Sequence, residues 1–422
     1  MKVIALCDVN NCFASSEQVF DPLIMGKPVV VLSNNDGCAI ARSAEAKRMG
    51  VKMGQPFFQF QHLVKQGLIV RSANFPLYAN LSERIVSVLE TLAFDVVPYS
   101  IDESFLDLTG ISSDLTAYGQ YIRNIVYRHT RMPVGVGVAE TKTLAKAANW
   151  ATKHFPAFKG VVSIYQQPER RAKMLSMMPV GEVWGVGKQM TRHFESMKIK
   201  NAYQLSQMDP EKVRKQFNVV IARTVAELQG IESVEWESDI DTNRQIISSK
   251  SIGTKTDDKH ILFSAITRHV SNACKKLRKQ NAVAQYFSLF YRTSRFNTAE
   301  SEYSVSESLP LSTATDDTRE FLKLAHKIFD ETYRKGFRYA KAGCVLSSIT
   351  PKSQQQSDLF CNDEKTKQSE KTMNVLDALN AKFGKSTIRF GGEDLNCASE
   401  AKSQWRSQNY MSDWADIPKL SV

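Results

Sequence analysis

Apolar and polar positions along this chain fall into two recurring patterns. One is short apolar runs ended by turn residues, and the other is apolar positions three and four apart. Residues 3–9 read as a strand whose apolar run is interrupted by Asp8. Val29-Val30-Val31-Leu32, after Pro28, reads as a second strand leading into the turn-forming Asn34-Asn35-Asp36-Gly37. Leu81, Ile85, Val88, Leu89 and Leu92 have helical spacing, and residues 96–108 read as a strand pair joined by a tight turn. A helix is predicted over 114–129, a strand over 134–138, a Thr141-capped helix running to Lys153, and a strand over 161–164. This order implies a mixed sheet with helices packed on it, the first part of an α+β multidomain chain.

From about residue 166 the pattern changes to short helices and glycine turns. Residues 231–244 are acidic and aperiodic and read as a linker. Strand and helix signals return over 245–350, with Phe287-Ser288-Leu289-Phe290-Tyr291 alternating and Phe321, Leu324, Ala325, Ile328 and Phe329 at helical spacing. After Pro351 comes the polar run Lys352 to Asp358, and no internal repeat is evident.

At 422 residues, several domains are expected. The longest apolar runs, around five residues, are far too short to span a membrane, and the N-terminus does not read as a signal peptide. Seven scattered cysteines without Cys-x-x-Cys spacing argue against a zinc site or a disulfide framework and fit a reducing cytoplasm. The net charge of +11 is uneven. Residues 1–110 carry 9 Lys+Arg against 11 Asp+Glu, whereas residues 244–350 carry 18 against 10. An acidic early part and a basic later part suit chemistry on one portion of a polyanion while another is gripped. Solvated basic faces are the plainer explanation.

Three carboxylates define the candidate chemistry: Asp8 in the first apolar run, and Asp102-Glu103 after Pro98-Tyr99-Ser100-Ile101. Acids beside buried strands need partners, and three together need a cation. Divalent metal with a phosphate chain is the simplest answer. In a regular strand Asp102 and Glu103 would face opposite ways, so sharing one site requires a bend or bulge there. Taken alone, Asp-Glu at a strand end also fits a solvated hairpin tip.

Cys7-Asp8-Val9-Asn10-Asn11-Cys12-Phe13, Ser100-Ile101-Asp102-Glu103-Ser104-Phe105 and the run Gly137 to Lys146 resemble Y-family DNA polymerases, in order over essentially the whole chain. The likeness is nearest to the UmuC branch. It implies a right-hand polymerase with a ferredoxin-like palm over 1–165, fingers inserted at about 14–76, and a helical thumb over 166–230. Beyond the 231–244 linker it implies an α/β little finger over 245–350, then a tail over 351–422 with a UmuC-type extension. The implied activity is error-prone translesion DNA synthesis in the SOS response, in the cytoplasm and at the nucleoid. Asp8 and Asp102 match ligands bridging two magnesium ions, Val9 lends a backbone carbonyl, and Glu103 matches the acid nearer the primer 3′-hydroxyl. Phe13 matches the steric gate against a sugar 2′-hydroxyl, and Lys153 matches a triphosphate contact. Where many members carry Tyr and Arg in the fingers, this chain has Ala44 and Lys47. Arg42 and Lys47 are the replacement candidates for gripping the triphosphate.

For DNA binding, Trp184-Gly185-Val186-Gly187-Lys188 resembles a helix-hairpin-helix whose glycines expose amides to a phosphate. Lys250 lies on a basic later segment suited to gripping the backbone. Gln356, Leu359 and Phe360 resemble a peptide that binds the sliding clamp, with Ser357 where closer versions have Leu. The UmuC likeness also implies a UmuD′ dimer and a RecA filament as partners. Two other readings compete: a nucleotide cyclase, which uses a similar sheet and carboxylate pair, and a non-catalytic DNA-binding scaffold. The DNA-grip motifs argue against the first. The register of the acids with Phe13 and Lys153 argues against the second.

Overall fold

The computed structural model of the chain describes residues 2–111, 114–236, 244–295, 300–354, 363–384, 386–393, 402–411 and 414–417. It divides into two units. One comprises Met1–Ser33, Cys38–Asp239 and Trp405–Val422, and the other Asn34–Gly37 and Ile240–Gln404.

The first unit runs through β1 (Ile4–Val9), α1 (Cys12–Phe20), β2 (Val29–Leu32), β3 (Ala39–Arg42), β4 (Ile69–Ser72) and α2 (Phe75–Glu90). It continues with β5 (Asp95–Pro98), β6 (Glu103–Asp107), α3 (Leu115–Thr130), β7 (Val134–Ala139), α4 (Lys142–His154) and β8 (Val161–Ser163). These strands form a five-stranded sheet in the order β5-β6-β1-β7-β8 and a three-stranded sheet in the order β3-β2-β4. β1 is central and antiparallel to both β6 and β7, while β7 and β8 are parallel.

Both faces of β1 are covered, and the strand period decides which side each residue serves. Val3, Ala5, Cys7 and Val9 pack with Leu81, Ile85 and Leu89 of α2 and Ile122 and Val126 of α3. Ile4 and Leu6 pack with Ala145, Ala148 and Ala151 of α4. Asp8 continues the Ile4–Leu6 face, which directs it toward α4. By the same alternation Glu103 shares a face with Phe105, which also belongs to the α4 side.

Glycine lets α4 come unusually close. A Cβ at Gly137 would lie 2.3 Å from the Asn149 amide nitrogen and 2.4 Å from the Ala145 carbonyl oxygen, so only hydrogen fits there. Asn149, buried on the alanine-rich face of α4, donates to the Gly135 carbonyl at 2.9 Å and fixes the helix along the sheet. The N-terminus of α4 is capped by the Thr141 hydroxyl, which accepts from the Leu144 amide.

Residues 166–230 share this core. After α5 (Lys188–Ser196), the helix α6 (Val219–Leu228) packs Ile221, Val225 and Leu228 into the same cluster as Ile4 and Leu6. Its buried Glu227 accepts from the backbone amide and hydroxyl of Thr143 at 2.9 and 2.7 Å, pinning the first turn of α4.

The second unit holds β9 (Gln245–Thr256), α7 (Lys259–Lys279), β10 (Ala282–Thr293), β11 (Ser304–Thr315), α8 (Thr318–Thr332), β12 (Tyr339–Pro351) and α9 (Asp363–Lys382). The strands form an antiparallel sheet in the order β11-β10-β12-β9, with α7 and α8 contributing Leu262, Ile266, Val270, Phe321 and Phe329 to its core. Arg278 of α7 holds Asp377 of α9 through a two-pronged pair, at 2.6 and 3.0 Å.

Candidate active site

Asp8 and Glu103 are partners across the β1–β6 ladder. Asp102 sits one residue outside β6 in a tight turn. Its carbonyl accepts from the Val9 amide at 2.8 Å, while the Tyr99 and Ser100 amides both donate to the Glu103 carbonyl. The Ser100 hydroxyl donates to Asp102 Oδ1 at 2.6 Å and also accepts from the Asp102 and Glu103 amides. This is the bend that neighbouring acids require. The turn releases Asp102 from strand alternation, and Glu103 alone keeps it.

Burial pushes the Asp8 carboxyl up to about 6. Lys153 opposes that rise and the facing Glu103 adds to it. The Cys12 thiol is pushed up to about 12, first by burial and then by the negative charge of Asp102, with a smaller effect from Asp8. Both aspartates therefore act on one neighbour, Cys12 at the start of α1.

Helix α4 supplies the cations. Lys153 Nζ pairs with Asp8 Oδ2 at 2.7 Å, and Lys146 Nζ with Glu103 Oε2 at 2.8 Å. Their seven-residue spacing brings them to one face, and the Gly137 contact brings that face within reach. Lys146 also lies 4.4 Å from the ring centre of Tyr99 and 5.3 Å from that of Trp184, an aromatic lining suited to a cation. Among the described residues, no three Asp, Glu, His or Cys side chains already converge as a metal cage. The oxygen donors present are nevertheless those a hard divalent cation prefers. A desolvated Asp8 beside a second carboxylate is stabilised by added positive charge.

Phe13, on α1, stacks on Tyr78 with ring centres 4.5 Å apart and meets Phe75 edge-on at 5.9 Å. Lys47 donates to the Asn11 side-chain carbonyl at 2.6 Å. Its ammonium is held below the ordinary lysine range by burial, with the charges of Arg42 and Lys153 adding to the effect. Arg42 donates to the Val51 carbonyl at 2.9 Å, and its buried Nε has no hydrogen-bond partner. Arg42 and Lys153 thus both repel Lys47, an electrostatic setting suited to a polyanion.

Gly185 has φ +88° and Gly187 is the N-cap of α5, both exposed. Lys250 is an exposed position of β9 in the second unit. Gln356, Leu359 and Phe360 lie outside the described residues. Glu227 and Asn149 went unread in the sequence. Each is a polar residue on an otherwise apolar helix face, which is the signal that marks such residues.

The sequence matches the impB/mucB/samB family over residues 7–149 and that family's C-terminal domain over residues 243–359. Protein ImpB of Salmonella typhimurium is 41% identical over 422 residues, covering 99% of each chain. The chain belongs to the impB/mucB/samB family. Another relative, UmuC of Salmonella typhimurium strain LT2, is 40% identical, with 99% of this chain and 100% of UmuC covered. Residues 370–420 of this family member match a domain of unknown function, DUF4113. Among solved structures, a Y-family DNA polymerase chimera of Dbh and Dpo4 aligns with TM-score 0.63 at 20% identity, covering 83% of this chain and 99% of the chimera. A ternary insertion complex of Dbh DNA polymerase aligns with TM-score 0.54 at 20% identity, with 83% and 99% covered. The family member has the Y-family polymerase fold, and none of its described helices is long and apolar enough to cross a membrane.

Proposed function

We propose that this DNA polymerase performs error-prone, template-directed synthesis across damaged DNA as part of the SOS response. Its chemistry is nucleotidyl transfer from a deoxynucleoside triphosphate to a primer 3′-hydroxyl. The observation that carries this reading is the cross-strand pair of Asp8 and Glu103 with Asp102 on the adjoining bend. Asp8, Asp102, Glu103 and the Val9 carbonyl are the residues that would hold two magnesium ions. When bound, such ions activate the 3′-hydroxyl and neutralise the departing pyrophosphate.

The chain's own groups fill the remaining roles. Arg42, Lys47 and Lys153 draw in the triphosphate, and Phe13 presents a flat ring to the incoming sugar. Lys146, paired with Glu103, holds that carboxylate in place. In this reading residues 1–165 are palm with inserted fingers, 166–230 the thumb and 245–350 the little finger. Gly185, Gly187 and Lys250 grip the DNA backbone. Gln356, Leu359 and Phe360 dock in a groove of the sliding clamp. A processed UmuD-type dimer and a RecA filament are the proposed partners in the cell.

Primer extension with magnesium, comparing the unmodified chain with Asp102→Asn, tests the catalytic reading. Extension abolished only in the variant is the expected result. No extension by the unmodified chain, even with clamp and UmuD′ supplied, would overturn it. Clamp-dependent synthesis that survives Leu359→Ala with Phe360→Ala would remove the clamp assignment alone.

A further inference from the structure

Residues 405–411 return to the back of the aromatic group around Phe13. Trp405 exchanges backbone and side-chain bonds with Ser72. The Ser72 amide donates to the Trp405 carbonyl and the Trp405 amide to the Ser72 hydroxyl, each at 3.0 Å. Asn74, fully buried, donates through its amide group to the Ser407 hydroxyl at 3.0 Å and to the Ser407 and Gln408 carbonyls at 3.4 and 3.3 Å. Tyr410 stacks on Phe20 of α1, with ring centres 5.2 Å apart and planes 8° from parallel. All these residues lie in the first unit.

The centre of this contact is Glu17 on α1, which is 2% exposed. A buried carboxylate needs donors. Glu17 Oε1 accepts from the Tyr78 hydroxyl at 2.7 Å and from the Ser407 hydroxyl at 3.1 Å, and the nearest cation is Arg71, at 3.7 Å from Oε2. Tyr78 in turn stacks flat on Phe13. Four residues therefore form an unbroken relay from the C-terminal segment to the ring assigned to the incoming sugar. Burial raises the Glu17 carboxyl, while both hydroxyl donors and Arg71 hold it down, so both donors favour its charged form.

We propose that residues 405–411 are a positioning brace for sugar selection. Ser407 holds Glu17, Glu17 holds the Tyr78 hydroxyl, and the Tyr78 ring fixes Phe13 where a ribose 2′-hydroxyl would clash. The inference rests on the reading of Phe13 as the sugar gate and gives a task to part of the stretch matched to a domain of unknown function. None of Ser407, Glu17 or Tyr78 is a catalytic residue. They act through Phe13. A rigid gate discriminates by clash, and a gate free to tilt by a few tenths of an ångström discriminates less.

The test is single-nucleotide primer extension by the full-length chain, measuring kcat and KM for a deoxynucleotide and the matching ribonucleotide. Phe13→Ala, Tyr78→Phe, Ser407→Ala and Ser407→Thr are compared with the unmodified protein. Tyr78→Phe keeps the ring and removes only its bond to Glu17, so it serves even if Ser407 variants fold poorly. Losing one hydrogen bond in the relay should cost about fivefold in sugar discrimination. The loss should come through a lower KM for the ribonucleotide, with deoxynucleotide kcat within about twofold of the unmodified value. Ser407→Thr, which keeps the hydroxyl, should restore discrimination. If Phe13→Ala loses discrimination while Tyr78→Phe and Ser407→Ala keep it, the brace is overturned and the gate stands. If Phe13→Ala itself keeps discrimination, the gate reading falls and the brace with it.

Discussion

Asp8 and Glu103 face one another across two antiparallel strands, and each is met by a lysine from the same helix. Two like charges at one end of a buried strand pair are tolerable only because α4 brings two opposite charges to them. The same arrangement makes the site costly to the fold.

Asp8→Asn should stabilise the metal-free protein at pH 7.5 while abolishing primer extension. The Asp8 carboxyl is raised from 3.8 to about 6. The folded state therefore binds more protons than the unfolded one between those values, and stability falls as pH rises through that window. At pH 7.5 the whole penalty is present, on the order of 1–3 kcal/mol. The variant should melt a few degrees higher in chelator (roughly 2–4 °C per kcal/mol), and the difference should disappear at pH 3.5. Added magnesium should raise the melting temperature of the unmodified chain only.

Gly137→Ala should impair folding and synthesis together. The added methyl group would meet the backbone of α4, which cannot give way as a flexible side chain would. A loss of about 2–4 kcal/mol in denaturant unfolding is expected, at the upper end of overpacking costs. The surviving folded fraction should show reduced extension, because Lys146 and Lys153 move away with the helix.

Lys47→Ala should raise the KM for deoxynucleotide about tenfold and change kcat little, the pattern for a group that binds ground and transition states alike. A triphosphate held there as proposed would relieve the repulsion of Lys47 by Arg42 and Lys153. The KM of the unmodified chain should therefore climb more steeply with salt than that of the variant.

His269 should make the second unit sensitive to acid. Burial, assisted by Arg268, Lys250 and Lys341, lowers its imidazole from 6.5 to about 4. A lowered histidine value means the unfolded chain binds the extra proton. Stability is then full above pH 6.5 and is lost as pH falls toward 4, by up to about 3 kcal/mol. His269→Asn, which retains a partner for the Ser248 hydroxyl, should flatten that slope in thermal melts.

Much of the site was legible because its residues lie close together in sequence. Asp8, Asp102-Glu103 and the helix bearing Lys146 and Lys153 each sit in a short, strongly patterned stretch. Other parts were hidden for identifiable reasons. β3 and β4 are four residues each, too short to show a period. The strand β10 spans Ala282–Thr293, but the clear alternation is confined to Phe287–Tyr291. β9 was legible as a strand around Ser248–Ser251, whereas β11 carries Ser, Thr and Glu on a solvated face and gives a weaker signal. The Glu17–Ser407 bond joins residues 390 apart, a separation at which no local pattern can announce a contact.

Glu227 has a practical consequence for protein engineering. By gripping Thr143 from the far end of residues 166–230, it ties that helical segment to the lysine-bearing helix as one exchangeable block. Anyone grafting parts between relatives should cut after Trp236, beyond the tie. A seam at residue 166, where the sequence changes character, would separate Glu227 from Thr143 and leave a buried acid facing a mismatched helix end.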